Sequence, residues 1–120
     1  MATVFLLHWD RAEAEDRASS LRRDGHTVSL HWSPDTTPKL KESLPDIAVI
    51  SLDRSPSHGR AVAEWLWEAK KRQHIPIVFA GGEREKVKAT RKKFPRAVYC
   101  PTSAIRETVA DVVKAQRNLR

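Results

Sequence analysis

Short apolar runs alternate with amphipathic segments at a steady spacing along the whole chain. The longest runs cover residues 4–7, 47–50 and 75–80, far short of the roughly 18–20 apolar residues that cross a bilayer. Strands that are apolar on both faces are typical of a parallel sheet covered by helices on both sides. The pattern predicts five strands, over residues 3–8, 27–32, 47–52, 75–80 and 97–100.

The intervening segments carry apolar residues at helical spacing. They predict helices over residues 11–24, 34–44, 60–74, 83–94 and 103–117. Gly25 stands where a helix-ending glycine is expected, and Leu40 and Leu44 should point inward from the short second helix. In the last helix we expect one inward face, with Thr102 or Ser103 as its cap. That face comprises Ile105, Val109, Val112 and Gln116.

Five strand-then-helix units in 120 residues predict a single stand-alone α/β domain over residues 1–120. We expect a three-layer sandwich around a five-stranded parallel sheet in the flavodoxin-like order 2-1-3-4-5. In such sheets the functional crevice lies beyond the carboxyl ends of the strands. The segments to consider are therefore residues 8–10, 51–59, 80–82 and 100–102.

The amino-acid composition excludes several classes of protein. Apolar residues make up 40% of the chain and charged residues 31%, which excludes disordered and collagen-like chains. The single cysteine, Cys100, can form neither an internal disulfide nor a cysteine-based zinc site. The first residues lack the features of a signal peptide, so we expect a cytoplasmic protein.

Positive charge is concentrated in one segment. Residues 84–96 contain seven basic residues and one acidic residue, whereas the net charge of the whole chain is +7. One basic surface favours an acidic or phosphate-bearing partner. We expect its contacts to involve Arg84, Lys88, Arg91 and Lys92.

Several short motifs stand at the predicted strand ends. Pro45-Asp46 precedes the third strand, and the segment Ser-Leu-Asp-Arg-Ser-Pro-Ser-His-Gly at 51–59 follows it. Ile-Pro-Ile-Val at 75–78 opens the fourth strand, and Cys100-Pro101 follows the fifth. With these motifs the whole chain resembles a response-regulator receiver domain (CheY-like), the phospho-acceptor module of bacterial two-component signalling.

The resemblance implies a pocket whose usual chemical groups are replaced. In the family two acids after the first strand hold Mg²⁺, an Asp accepts the phosphoryl group, a Ser or Thr senses it and a Lys pairs with it. Here the acid pair aligns with His8 and Trp9, with Asp10 one place late; the acceptor aligns with Ser51, the Ser/Thr with Gly81 and the Lys with Cys100.

These replacements change the expected chemistry. Mg²⁺ prefers hard oxygen ligands, which neutral His8 and Trp9 do not supply, and a serine hydroxyl is a weak nucleophile without an activating base. We therefore expect a degenerate pseudo-receiver that acts through protein–protein contact, with no enzymatic activity, no metal and no cofactor. One alternative is an atypical receiver that is phosphorylated on Asp53 with help from Asp10; otherwise Asp53 caps a loop.

The resemblance also implies an output and dimer surface, formed by the predicted helix 83–94, the strand 97–100 and the last helix. Tyr99 lies within it. Trp67, on the polar side of the predicted helix 60–74, is either an interface anchor or a ring folded over neighbouring aliphatic stems. A third function is nucleic-acid binding by the basic segment, although few aromatic residues are interleaved there.

Overall fold

A computed structural model describes residues 2–8, 10–31, 44–53 and 56–118. Its five strands are all parallel and pair in the order β2-β1-β3-β4-β5, which confirms the predicted sheet. The strands are β1 Thr3–Leu7, β2 Thr27–His31, β3 Ile47–Ser51, β4 Ile77–Ala80 and β5 Val98–Cys100. The helices are α1 Arg11–Arg23, α2 Pro56–Trp67, α3 Arg84–Lys93 and α4 Ile105–Asn118.

Alternate residues of the strands enter two separate cores, one on each face of the sheet. Leu6 and Val49 pack with Leu21 of α1 and Val109 of α4. On the other face, Leu7, Ile50 and Phe79 pack with Leu66 of α2, next to Phe94 at the end of α3. Because side chains point alternately to the two faces of a strand, continuous apolar runs are what both cores require.

The end of α1 has the predicted glycine. Gly25 has φ +94°, its N–H donates to the carbonyl of Arg22, and the N–H of His26 donates to the carbonyl of Leu21. This is a Schellman ending, in which a left-handed glycine lets the chain return to the last carbonyls of the helix. The turn directs the chain into β2.

The predicted helix 60–74 is wrong at both ends. α2 begins at Pro56 and ends at Trp67, and a short 3-10 turn, Lys70–Arg72, follows it. Proline is common at the first helical position, because a backbone N–H at that position would have no partner within the helix. At the other end, the Arg72 guanidinium donates to the carbonyl of Trp65 and the Gln73 amide to that of Trp67. These side chains satisfy the last carbonyls and allow the helix to stop.

The last helix keeps its predicted face but not its predicted cap. Ile105 and Val109 are buried, and the Gln116 amide donates to the carbonyl of Asp46. A 3-10 turn, Thr102–Ala104, precedes α4 without a side-chain cap. The Thr102 hydroxyl donates to Asp53 and does not cap the helix.

The predicted helix 34–44 falls almost wholly on residues 32–43, which lie outside the described part of the chain. Leu44, which was expected to point inward, is 40% exposed. Among the described helices, none is both long and apolar enough to cross a membrane.

Candidate functional site

Asp53 lies at the centre of the crevice beyond the carboxyl ends of β3, β4 and β5. Its Oδ1 accepts from the Gly82 N–H at 2.7 Å, and its Oδ2 accepts from the Thr102 hydroxyl at 3.1 Å. The Arg17 guanidinium lies 3.8 Å from Oδ2. Both carboxylate oxygens therefore have partners, although the side chain remains 35% exposed.

His8, at the aligned position of the first Mg²⁺-binding acid, has no solvent-exposed surface. Its Nδ1 lies 2.8 Å from Arg17 Nη1, and its Nε2 lies 2.7 Å from Glu13 Oε2. A guanidinium can only donate, so Nδ1 accepts and the ring proton is on Nε2. Burial lowers the pKa of His8 below its usual value; the hydrogen bond to Glu13 opposes this and the Arg17 charge reinforces it.

Ser51 and Asp10 form local backbone contacts. Ser51, the aligned acceptor, ends β3 and is 4% exposed, and its Oγ accepts from the Asp53 N–H at 3.2 Å. Asp10 caps α1, because its Oδ1 accepts from the Glu13 N–H at 3.0 Å. Trp9 lies outside the described residues.

Gly81 and Cys100 end two neighbouring strands. The Gly81 N–H donates to the carbonyl of Cys100 at 3.0 Å, and Gly81 has φ +72°. Cys100 is a half-buried free thiol. Burial raises the pKa of Cys100, while a hydrogen bond with Thr108 opposes the shift, so little reactive thiolate forms near neutral pH.

Sequence reasoning missed two residues of this site, Glu13 and Arg17. Glu13 and Arg17 are four residues apart on α1, so they lie on one face of the helix, beside the buried Ala14 and Ala18. Charged residues at helical spacing, immediately after a strand end, were the available signal. Thr102 lies within the predicted crevice segment 100–102, but the role predicted for its hydroxyl was that of a helix cap.

Two features of the described residues disfavour Mg²⁺ at this crevice. Within residues 2–8, 10–31, 44–53 and 56–118, no group of three or more His, Cys, Asp or Glu could hold a metal ion. Arg17 already places a fixed positive charge beside Asp53, and like charge repels a divalent cation.

The basic segment forms the exposed side of α3. Arg84, Lys88, Arg91 and Lys92 are all exposed, whereas Phe94 and Thr90 are buried against the core. Lys93 pairs with Glu64 of α2 at 3.3 Å.

The ring of Tyr99 borders this basic face. Tyr99 is half-buried; its hydroxyl donates to the carbonyl of Phe94 at 2.8 Å, and the Arg91 guanidinium lies over its ring, 4.6 Å from the centroid. Burial raises the pKa of Tyr99, against the opposing effect of the Arg91 charge.

The helical position of Trp67 had suggested a solvated face, but its side chain packs against other residues. Its indole N–H donates to the carbonyl of Ile75 at 2.8 Å, and its ring meets that of Phe94 edge-on, with centroids 6.0 Å apart. The ring is covered because the chain turns back after α2, which a helical projection does not include. A role for Trp67 in partner binding stays a prediction.

Several solved structures have this fold. A response-regulator receiver domain from Methanoculleus marisnigri JR1 is 12% identical, with a TM-score of 0.66 over 96% of this chain and 95% of that one. The signal receiver domain of a DNA-binding response regulator from Colwellia psychrerythraea 34H is 11% identical, with a TM-score of 0.74 over 93% and 98%. That of a modulated diguanylate cyclase from Desulfovibrio desulfuricans G20 is 18% identical, with a TM-score of 0.71 over 96% and 92%.

No protein-family model matches the sequence, and no curated protein matches it significantly. At identities of 11–18% the structural likeness establishes the receiver fold alone. Function resides in the site and does not follow from the fold.

Proposed function

We propose that this chain is a receiver-like signalling domain that works through protein–protein contact and does not accept a phosphoryl group. One observation carries the proposal: the polar groups of the crevice are bonded to one another. Arg17 contacts both His8 and Asp53, and both oxygens of Asp53 accept hydrogen bonds.

Phosphoryl transfer depends on positioning and on stabilising the charge that develops in the transition state. The Ser51 hydroxyl is buried and accepts a backbone hydrogen bond. Neither its burial nor this hydrogen bond activates it as a nucleophile. Cys100 carries no positive charge to pair with a phosphoryl oxygen. These features favour a module that signals by contact.

The atypical receiver remains the second candidate because of one feature of Asp53. Its carboxylate is 35% exposed, with a hydroxyl and a guanidinium close by, and such groups can stabilise a transferred phosphoryl group. Against it, the Arg17 charge beside Asp53 disfavours the divalent metal that such transfer uses. Intact-mass measurement after incubation with a small phosphodonor and Mg²⁺ separates the two candidates.

The proposed contact surface is the basic side of α3 together with β5 and α4. Half-buried Val87, with the buried Thr90 and Phe94, fixes α3 to the core, and its cations face outward. They would steer an acidic protein partner and speed the encounter more than they raise affinity. A homodimer through this surface is a further expectation.

Capture of partners from the native host at low and high salt tests this surface. We expect protein partners to persist at about 0.5 M salt, because salt screens exposed charge pairs but not apolar contacts. Changing Lys88, Arg91 and Lys92 to Glu should remove them. Nucleic acid bound to the same charge would be lost steeply with salt.

The matched control changes the exposed Arg23, Lys70 and Lys71 to Glu, which alters net charge equally on other surfaces. Circular dichroism should show that both variants fold. If the α3 variant retains the partners, the surface is wrong; if nucleic acid alone is captured, the nucleic-acid function replaces the protein one.

A further inference from the structure

One side chain just beyond the end of β3 contacts three other segments, two of them through hydrogen bonds and the third as an ion pair at 3.8 Å. Gly82 belongs to the loop before α3, Thr102 to the turn before α4 and Arg17 to α1, and all three place donors around the Asp53 carboxylate. Hydrogen bonds to an ionised group are shorter and roughly twice as strong as neutral ones. Asp53 therefore connects the ends of β3, β4 and β5 with α1.

Arg17 is built into this arrangement. Its side chain is 13% exposed, and Nη1 is fixed on His8, whose other nitrogen is fixed on Glu13. A guanidinium largely removed from water is costly to leave without a neighbouring anion. The Asp53 carboxylate, 3.8 Å away, supplies negative charge at this point.

The backbone around the carboxylate leaves no room for a larger residue. A Cβ on Gly81 would lie 2.5 and 2.6 Å from the two Asp53 oxygens and 2.7 Å from Thr102 Oγ1. Gly81 also has φ +72°, a conformation that other residues rarely adopt. Chain geometry and donor placement both fit a carboxylate at this position.

We propose that Asp53 is the internal anion of an oxyanion site formed by Arg17, the Gly82 N–H and the Thr102 hydroxyl. The carboxylate holds the four segments in one arrangement without any covalent modification. Emptied of that carboxylate, the site takes a small free oxyanion such as formate. The proposal stands on this geometry and does not depend on the proposed protein contact, because the isolated chain suffices to test it.

The test removes the carboxylate and then supplies one in solution. In Asp53→Ala we expect the Gly82 amide to exchange with solvent roughly tenfold faster or more, since a charged hydrogen bond is lost. Titrated formate should restore the protection and saturate, whereas sodium chloride at the same ionic strength should not. The wild-type chain should respond to neither salt.

Two variants serve as controls. Asp53→Asn keeps the shape without the charge, so its Gly82 amide should also exchange faster, and formate should not restore it because the amide fills the site. Asp111→Ala removes an exposed carboxylate of α4 and should change nothing.

The proposal would be overturned if the Gly82 amide of Asp53→Ala exchanged at the wild-type rate, or if formate protected it no more than chloride does. Should Asp53→Ala fail to fold, Thr102→Val retains the carboxylate and removes one donor. Its Ala104 amide, in the turn that Thr102 begins, should then exchange faster, and unchanged exchange there would equally refute the proposal.

Discussion

His8 shows how a single buried residue can make stability depend on pH. Protonation would place an Nδ1–H against the Arg17 guanidinium, so two donors would face each other at 2.8 Å. Burial has the largest effect in lowering the pKa of His8, and the Arg17 charge reinforces it, so protonation of His8 is disfavoured in the folded chain. The unfolded chain has no such resistance and titrates near the ordinary value of 6.5.

A pH dependence of stability follows. Because the folded pKa of His8 is depressed, its contribution is complete above about pH 6.5 and is lost as the pH falls. Urea unfolding at several pH values should show a lower free energy of unfolding below that point. In His8→Gln the loss over the same range should be smaller.

His74→Gln is the matched control, because His74 is exposed. It should follow the wild-type pH dependence. Parallel pH profiles for His8→Gln and the wild-type chain would mean that His8 does not resist protonation in the fold.

At the scale of single residues, the location of the site was more predictable from the sequence than the full set of residues that form it. His8, Ser51, Asp53 and Gly81 lie around the crevice as their strand-end positions predicted. Arg17 was missed because it lies in a helix, and the bond from Thr102 to Asp53 was missed because Thr102 was assigned to a cap. Their contacts with Asp53 span 36 and 49 residues, respectively, and no local pattern encodes such separations.

At the scale of elements, α2 shows packing overriding intrinsic propensity. Gly59 lies inside this helix, where glycine costs about 1 kcal/mol relative to alanine. A Cβ there would meet Ile50 Cγ2 of β3 at 2.6 Å. Glycine lets the helix approach the sheet closely.

Gly59→Ala should therefore destabilise the fold, despite the better helix propensity of alanine. Overpacking a core costs about 1–3 kcal/mol, and because the contact would be as short as 2.6 Å we expect a cost in the upper part of that range, above the propensity gain of about 1 kcal/mol. Chemical denaturation measures the balance. Ala61→Gly, at an exposed position of the same helix, should lose about 1 kcal/mol, so alanine is preferred at one position and glycine at the other. A more stable Gly59→Ala would contradict this account of the packing.

The strands were predictable because burial on both faces requires apolar runs, and α1, α3 and α4 because each has an apolar stripe. The ends of α2 were not. Its start depends on a proline at the first position, and its end depends on side chains of Arg72 and Gln73 that return from the following turn. The sequence pattern records neither contact, since both form only once the chain has folded back.

For the whole molecule, the receiver fold brings two chemically different regions together. In the crevice, both oxygens of the partly exposed Asp53 carboxylate accept hydrogen bonds, and α3 next to it carries exposed positive charge. The Gly82 N–H that bonds to Asp53 lies two residues before α3 begins. Crevice and contact surface are thereby joined through one short loop.

Intact-mass measurement after incubation with a small phosphodonor and Mg²⁺ tests the central claim most directly. A receiver domain with the usual acidic residues serves as the positive control, and Asp53→Asn and Ser51→Ala are run in parallel. We predict no gain of a phosphoryl group by this chain while the control domain gains one. A stable gain that disappears in Asp53→Asn would contradict the account and make the chain an atypical receiver.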